Sequence, residues 1–486
     1  MFRTVKSIRS NFRYIFVPLF TLVALLGNAQ NTDLDKQLGK EGALQVEQQI
    51  GIYDHDPATA YIQEIGARLM AQLKAPLFEY KFLLVDMPEP NAFALPGGHV
   101  YISRGLICLA NNEAQIATVM GHEIVHSEQR HSVQQMQKSI LPTLLQLPGA
   151  IVGTVVSEDL GRIINAPIAS TSQVFLSKYS RSHETEADKY GVMIAGKAGY
   201  DPAQLGIILT NLSKEVELLT GQQEKFSYFA SHPFTPSRVK NIDKLISKGN
   251  YTLKPDLAQD RETFLQKFDG MYYGQNPANG VFVDNNFMHP VLDLFVQFPD
   301  GWEHTNTPTY CGAVDTNQKG MVYLGLASEN VDPEVLGEKM AEKIRAEHKT
   351  EPERAEKISM NGLDAYILSL TDTTGAEPAG IHLLWFRLNG VTYEMAGVAF
   401  DSEFSKLKET ALSIRTLTVE EKNSIRVKVL HIVKAQEGES IESLSQRTNN
   451  GWNIDMTCLM NGISPEKTFS EGEPVKILQF ENYRKQ

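Results

Sequence analysis

Cysteine is scarce in this sequence. Three in 486 residues exclude a disulfide scaffold and any zinc or iron–sulfur module built from clustered thiols. Positive charge is in deficit as well: 46 Lys and Arg stand against 58 Asp and Glu, for a formal charge of −12. That sign argues against a nucleic-acid partner, which calls for a basic face. No internal repeat and no low-complexity tract interrupts the chain, and the roughly 34-residue period of helical repeat arrays is missing. What is present is ordinary. With 42% hydrophobic and 21% charged residues the chain can bury conventional cores, and its length suggests about three domains of ~150 residues each.

Acidic residues are absent from the first stretch, where Arg3, Lys6, Arg9 and Arg13 precede an apolar run from Tyr14 to Leu26. Gly27-Asn28-Ala29 then offers small residues for cleavage. This layout predicts a secretory signal peptide over residues 1–29, too short in its apolar part to span about 30 Å of hydrocarbon. Export follows, to the periplasm first, with secretion or outer-membrane association as alternatives. Cys108, Cys311 and Cys458 lie far apart in the sequence. Spacing cannot say whether any two pair, and buried free thiols are the preferred reading.

Hydrophobic periodicity predicts a multidomain α+β chain. Residues 30–255 read as mainly helical: apolar residues at helical spacing over 34–75 are broken by Pro57, and Phe78–Val85 reads as a strand. A hairpin follows, Asn91–Leu95 and Val100–Ser103 around Pro96-Gly97-Gly98-His99. Asn112 is placed to cap a helix striped by Ile116, Val119, Met120, Ile124 and Val125, and Glu184–Lys248 forms a further helical region. Residues 140–156 are apolar but hold two prolines and two glycines, which suits a buried or lid-like helical pair; peripheral membrane contact is the alternative. Residues 262–420 alternate strand-like runs with one clear helix, Pro333–His348, as in an α+β domain with an antiparallel sheet. Residues 427–486 pair a strand, Val427–Val433, with helical pieces and a closing strand, Pro474–Leu478.

The chemistry concentrates at His122-Glu123-Ile124-Val125-His126. Histidines four residues apart on a helix share a face and can grip one ion. Glu123 points elsewhere, yet can take the proton of an attacking water. A catalytic zinc wants a third protein ligand. A metzincin would put its glycine and third histidine where Gln129 and Ser132 stand, and His131 is one residue off. The better source is Ser182-His183-Glu184-Thr185-Glu186-Ala187-Asp188. Glu184 and Asp188 share a helix face, so one can ligate while the other holds a ligand histidine through its second ring nitrogen. An acidic, solvated first helical turn is the plain alternative.

These motifs, in order, resemble a known family: Asn91-Ala92-Phe93-Ala94-Leu95-Pro96-Gly97-Gly98, the HExxH at 122–126, Tyr179-Ser180-Arg181 before Glu184–Asp188, and Ser231-His232-Pro233 with Pro236-Ser237-Arg238. Over about residues 40–250 the chain is similar to the HtpX-like and CAAX-prenyl-endopeptidase family of gluzincin metallopeptidases, above all its soluble periplasmic members. The resemblance implies a zincin fold and one zinc ion per chain on His122, His126 and Glu184. It implies Glu123 as general base, Asp188 behind the ligands, His232 over the substrate side of the ion and Arg238 organising that loop. Protein or peptide substrates follow. The strand Asn91, Ala92, Phe93, Ala94 can offer its backbone edge to an extended chain, or be an ordinary hairpin strand.

Phe298-Pro299-Asp300-Gly301-Trp302 and the run after it resemble a PsbP-like fold. Glu437–Leu444, Met460-Asn461-Gly462-Ile463 and Gly472–Ile477 look like a LysM module with an insertion at Asn449–Asn453, which implies peptidoglycan contact. The resulting expectation is an exported zinc endopeptidase acting on envelope or misfolded proteins, latent until the His232 loop or the 140–156 lid moves. The alternatives are a non-hydrolytic chaperone or scaffold with its zinc plugged by His232, and a cell-wall-binding protein or hydrolase.

Overall fold

The computed structural model describes residues 32–139, 178–220, 228–233, 236–249, 251–254, 261–317, 319–373, 378–400 and 403–484. The expected signal peptide at 1–29 and the apolar segment 140–156 lie outside the described residues. Helix α1 (Asp33–Gln49) and helix α2 (Asp56–Met70) separate where the pattern broke. Pro57 stands in the first turn of α2, where a missing N–H costs nothing. A three-stranded sheet follows: β1 (Lys81–Val85), β2 (Ala92–Leu95) and β3 (His99–Ser103), in the order β1-β3-β2 with β1 and β3 parallel. Strand β1 starts later than the apolar run at Phe78 suggested. Its partner β3 begins at His99, opposite Lys81, so earlier residues have no strand to pair with. Gly97 and Gly98 turn the β2–β3 hairpin at φ +80° and +93°, and a Cβ on Gly98 would lie 2.5 Å from the Glu79 carbonyl oxygen.

Ser103 caps the short helix α3 (Arg104–Leu109), and Asn112 caps α4 (Glu113–Glu128) by accepting from the N–H of Gln115. Arg130 then turns through a left-handed φ of 57° into α5 (His131–Ser139). The helical region beyond resolves into α6 (Arg181–Ala198), α7 (Gln204–Thr220) and α8 (Pro236–Lys248), Gly199 ending the first in the αL conformation. Helix α9 (Arg261–Gln266) and a two-residue strand β4 (Tyr272–Tyr273) complete this part.

The middle of the chain is antiparallel throughout. Strands β5 (Val281–Val283), β6 (Asn286–His289) and β7 (Leu294–Gln297) form a small sheet. Strands β8 (Glu303–Asn306), β9 (Tyr310–Val314), β10 (Gly320–Leu326), β11 (Arg354–Met360), β12 (Leu363–Asp372), β13 (Ala379–Leu388) and β14 (Val391–Phe400) form a seven-stranded one, ordered β11-β12-β13-β14-β10-β9-β8. Helix α10 (Pro333–His348) covers one face and α11 (Phe404–Ser413) the other. The alternation of a two-sided strand is plain in β13: Leu384 and Phe386 join one apolar cluster, Leu383 and Trp385 the other.

After α12 (Val419–Ser424), strand β15 (Arg426–Lys434), helices α13 (Ile441–Thr448) and α14 (Ile454–Asn461), and strand β16 (Pro474–Asn482) close the chain. β15 pairs with β16 and also with β4. This terminal unit has a small apolar cluster of its own around Ile441, Leu444 and Ile477. It also shares the large one: Trp452, Met456, Leu459, Met460 and Leu478 pack in the same cluster as Ile62, Ile116 and Phe264. All three cysteines are buried free thiols. Among the described residues no helix is long and apolar enough to cross a membrane.

Candidate metal centre

Helix α4 is buried along nearly its whole length, and it carries His122, Glu123 and His126 into the interior with no exposed surface on any of them. Helix α6 packs along it. The approach is close because both helices carry glycine at the crossing. A Cβ on Gly191 would lie 2.8 Å from the backbone of His122, and one on Gly121 would lie 3.0 Å from the Gly191 carbonyl oxygen. This contact brings Glu184 and Asp188, one turn apart on α6, against the two histidines.

Four ligand-type side chains converge there. One donor atom each from His122, His126, Glu184 and His232 lies within 4.8 Å of the others, all buried. His122 Nε2 and His126 Nε2 are 3.0 Å apart, and Glu184 Oε1 is 3.3 Å from His126 Nε2. His122 Nδ1 lies 3.0 Å from Asp188 Oδ1. Since a carboxylate only accepts, His122 donates from Nδ1 and keeps a lone pair on Nε2, facing the cluster. Arg238, on α8, donates to both oxygens of Asp188 at 2.8 and 2.7 Å and approaches Glu184 Oε2 at 2.8 Å. Its guanidinium thus sits on the two carboxylates of α6.

His232 enters from the loop after the 3₁₀ turn Tyr228–Ala230, its N–H donating to the Tyr228 carbonyl. Its ring stacks on Tyr228 at 4.3 Å, and its Nδ1 is 3.0 Å from Glu184 Oε1 and 3.4 Å from His122 Nε2. Tyr179 stacks on His126 at 3.9 Å and its hydroxyl meets that of Ser132 at 2.8 Å. His131 Nδ1 is 3.0 Å from His126 Nδ1. Tyr179 lies in a stretch the motifs marked, but Tyr228 and the contact of His131 with His126 were not foreseeable from spacing. The signal nearest to them is the clustering of aromatic and histidine residues around an HExxH.

The electrostatics follow from burial. Burial raises the Glu123 carboxyl, with the imidazoles of His232 and His122 pulling the other way. Burial alone would raise Glu184 too, but the surrounding imidazoles, His232 first and then His126 and His122, hold it well below the usual range. His126 is pushed well down by burial, whereas Glu123 and Glu184 overcome burial and carry His232 upward. Two buried carboxylates in one pocket therefore attract positive charge, which a proton on His232 or a metal ion can supply. Glu123 Oε2 and His232 Nε2 are buried without a hydrogen-bond partner. Two imidazoles and a carboxylate are the donor set of a catalytic zinc, and the residues fit that ion.

Strand β2 lies at the edge of its sheet and packs against α4; it begins at Ala92, one residue later than the sequence suggested, and the Asn91 N–H donates to the Ser103 hydroxyl at 2.7 Å. Ala92 and Ala94 turn into the core, Phe93 stacks on Tyr101, and Asn91 Oδ1 is buried without a partner.

Residues 57–246 match the model of Peptidase family M48. The chain is 29% identical over 215 residues to the Beta-barrel assembly-enhancing protease of Escherichia coli K12, covering 43% of this chain and 42% of that protein. A Putative beta-barrel assembly-enhancing protease of Vibrio cholerae is 33% identical over 166 residues, 33% of this chain and 34% of the relative. The Mitochondrial metalloendopeptidase OMA1 of Schizosaccharomyces pombe is 25% identical over 251 residues, 51% of this chain and 71% of the relative. The chain thus spans less than half the length of the bacterial relatives it matches. The segment 57–246 holds every residue of the cluster and is similar to the peptidases of family M48.

Proposed function

We propose that the protein is an exported zinc-dependent endopeptidase that cleaves peptide bonds in envelope or misfolded proteins. The observation that carries this reading is the convergence of His122, His126 and Glu184 beside the buried carboxylate of Glu123. Zinc, when bound by those three residues, supplies a Lewis acid for the scissile carbonyl and for the attacking water. Glu123 takes the proton from that water and returns it to the leaving amine, a task suited to a carboxyl raised by burial. His232, stacked on Tyr228, is placed to donate to the oxygen that becomes negative in the transition state. Asp188 and Arg238 keep His122 and Glu184 in place. The edge strand at Asn91–Ala94 holds an extended substrate by backbone hydrogen bonds.

The test combines metal analysis with proteolysis of an unfolded protein. Purified chain should hold about one zinc per protomer and cleave, and Glu123→Gln should keep the zinc and lose cleavage. Undiminished cleavage by Glu123→Gln rejects the reading.

A second reading has one observation in its favour: His232 stands among the ligand atoms, fully buried. There it can serve as a fourth ligand and keep the site closed, leaving a latent enzyme or a non-hydrolytic chaperone. Cleavage that rises in His232→Ala supports latency, and zinc without cleavage in both proteins supports the chaperone. The LysM-like residues 427–486 and the apolar 140–156 are separate proposals for peptidoglycan and membrane contact, tested by sedimentation with cell-wall sacculi and flotation with anionic vesicles.

A further inference from the structure

We propose that His131 is the positioning residue for His126, holding one ring nitrogen of that histidine so that the other is presented to the ion. The inference rests on the zinc reading above. His126 Nδ1 and His131 Nδ1 are 3.0 Å apart, and both side chains are essentially fully buried. Two imidazole nitrogens at that distance share one proton: one donates and the other accepts. A proton on His126 Nδ1 leaves Nε2 with its lone pair, and Nε2 is the atom 3.0 Å from His122 Nε2 and 3.3 Å from Glu184 Oε1. The other tautomer would aim an N–H into the cluster, where it cannot ligate. His131 therefore accepts at Nδ1 and carries its own proton on Nε2, which faces Glu186 Oε2 at 3.5 Å.

The backbone is arranged to make this contact. Helix α4 stops and Arg130 takes a left-handed φ of 57°, which swings the next side chain back under the last turn of α4. Arg130 is tied down by Asp35, a fully buried carboxylate that accepts from its Nε at 3.0 and 3.1 Å. The His131 ring is then clamped, stacked on His183 at 4.3 Å and 9° and edge-on to His126 at 4.9 Å. The two ligand histidines are thus supported differently, His122 by the anion Asp188 and His126 by an imidazole. The histidine that spacing places one residue away from a metzincin ligand stands behind the second ligand instead.

The experiment measures zinc affinity by competition with a chromogenic chelator on the full chain, in wild type, His131→Leu and His131→Gln, with the thermal unfolding of each metal-free protein. Outer-shell partners of ligand histidines typically carry about 10–100-fold in metal affinity. His131→Leu should lose that much, whereas His131→Gln, whose amide oxygen can accept in the same place, should lose clearly less. Nitrogen shifts of the imidazoles in zinc-loaded wild type should show His126 protonated at Nδ1 and His131 at Nε2, a readout that needs no variant to fold. Wild-type affinity in His131→Leu, equal losses in the two variants, or a His131 protonated at Nδ1 overturns the inference. A wild type that binds no zinc overturns the reading of the site itself.

Discussion

Glu123 and Glu215 show how burial sets what a carboxyl does in this protein. Glu123→Gln keeps size and polarity but cannot take a proton, so peptidase activity should fall about 10²–10⁴-fold with zinc content unchanged. Metal analysis beside a protease assay checks both halves. Glu215, on the inner side of α7, is pushed up to about 8, first by burial and then by the nearby Glu89. Its ordinary value is 4.5, so between about 4.5 and 8 the folded chain keeps a proton that the unfolded chain has lost. Stability therefore declines as pH rises through that window, by at most about 1.4 kcal/mol per pH unit from this group. Urea unfolding at several pH values should show a flatter profile for Glu215→Gln, and parallel profiles would refute the assignment. Much of this scale was legible. The histidine pair could be read because four residues of helix is a local distance, and the Glu184–Asp188 pair likewise. Which histidine meets which carboxylate could not, since His122 and Glu184 are brought together only by packing of α4 on α6.

That packing belongs to the scale of elements, and its determinants are two glycines. Inside a helix, glycine is normally a weak point, and nothing in the sequence pairs Gly121 with Gly191. The fold does so, because only there can the backbones come close enough for the side chains of α6 to reach those of α4. Gly191→Ala would put a methyl group 2.8 Å from His122 backbone atoms, which cannot yield as a side chain could. The helices should separate, at a cost of about 1–3 kcal/mol, and zinc affinity should fall because Glu184 and Asp188 withdraw. Gly206→Ala, whose Cβ would meet only the Val239 side chain at 3.4 Å, is the control: it should leave zinc affinity unchanged and, by helix propensity, raise stability by up to about 1 kcal/mol. Chelator competition and urea midpoints on the two variants decide it. The elements themselves were mostly readable, since Asn112, Pro57 and the Gly97-Gly98 turn act locally. The start of β1 was not, because it depends on where β3 offers a partner.

At the scale of the whole molecule, the decisive contact joins the terminal unit to the C-terminal end of α3. In Pro474–Asn482, Lys476 stands in a strand where a lysine suggests the solvent side, and periodicity alone could not place it otherwise. Its side chain is buried and its Nζ donates to the carbonyl oxygens of Cys108, Leu109 and Ala110, at 2.8, 3.3 and 2.8 Å. These are carbonyls at the C-terminal end of α3, where the helix dipole favours a cation. An ammonium has three donors for three acceptors, which opposes the downward pull that burial and the nearby Arg261 exert on Lys476. Arg261 adds a second tie, donating to the carbonyl and side-chain oxygens of Asn111 and Asn461. The terminal unit is therefore latched to the helix that leads into α4, with Met456, Leu459, Met460 and Leu478 completing the apolar cluster beneath. Lys476→Met keeps the length and apolar stem but strands the carbonyls of Cys108 and Ala110, while Leu109 keeps the Asn111 amide, and each stranded carbonyl costs about 1–3 kcal/mol. Part of that is returned by no longer burying a charge, so a net loss of about 2–4 kcal/mol is expected in urea unfolding. A chain ending before residue 426 should fare worse, exposing that apolar surface and failing to give a cooperative transition. If instead Lys476→Met unfolds like wild type and the shortened chain stays folded and holds zinc, the terminal unit is an appendage, and the site owes nothing to the latch.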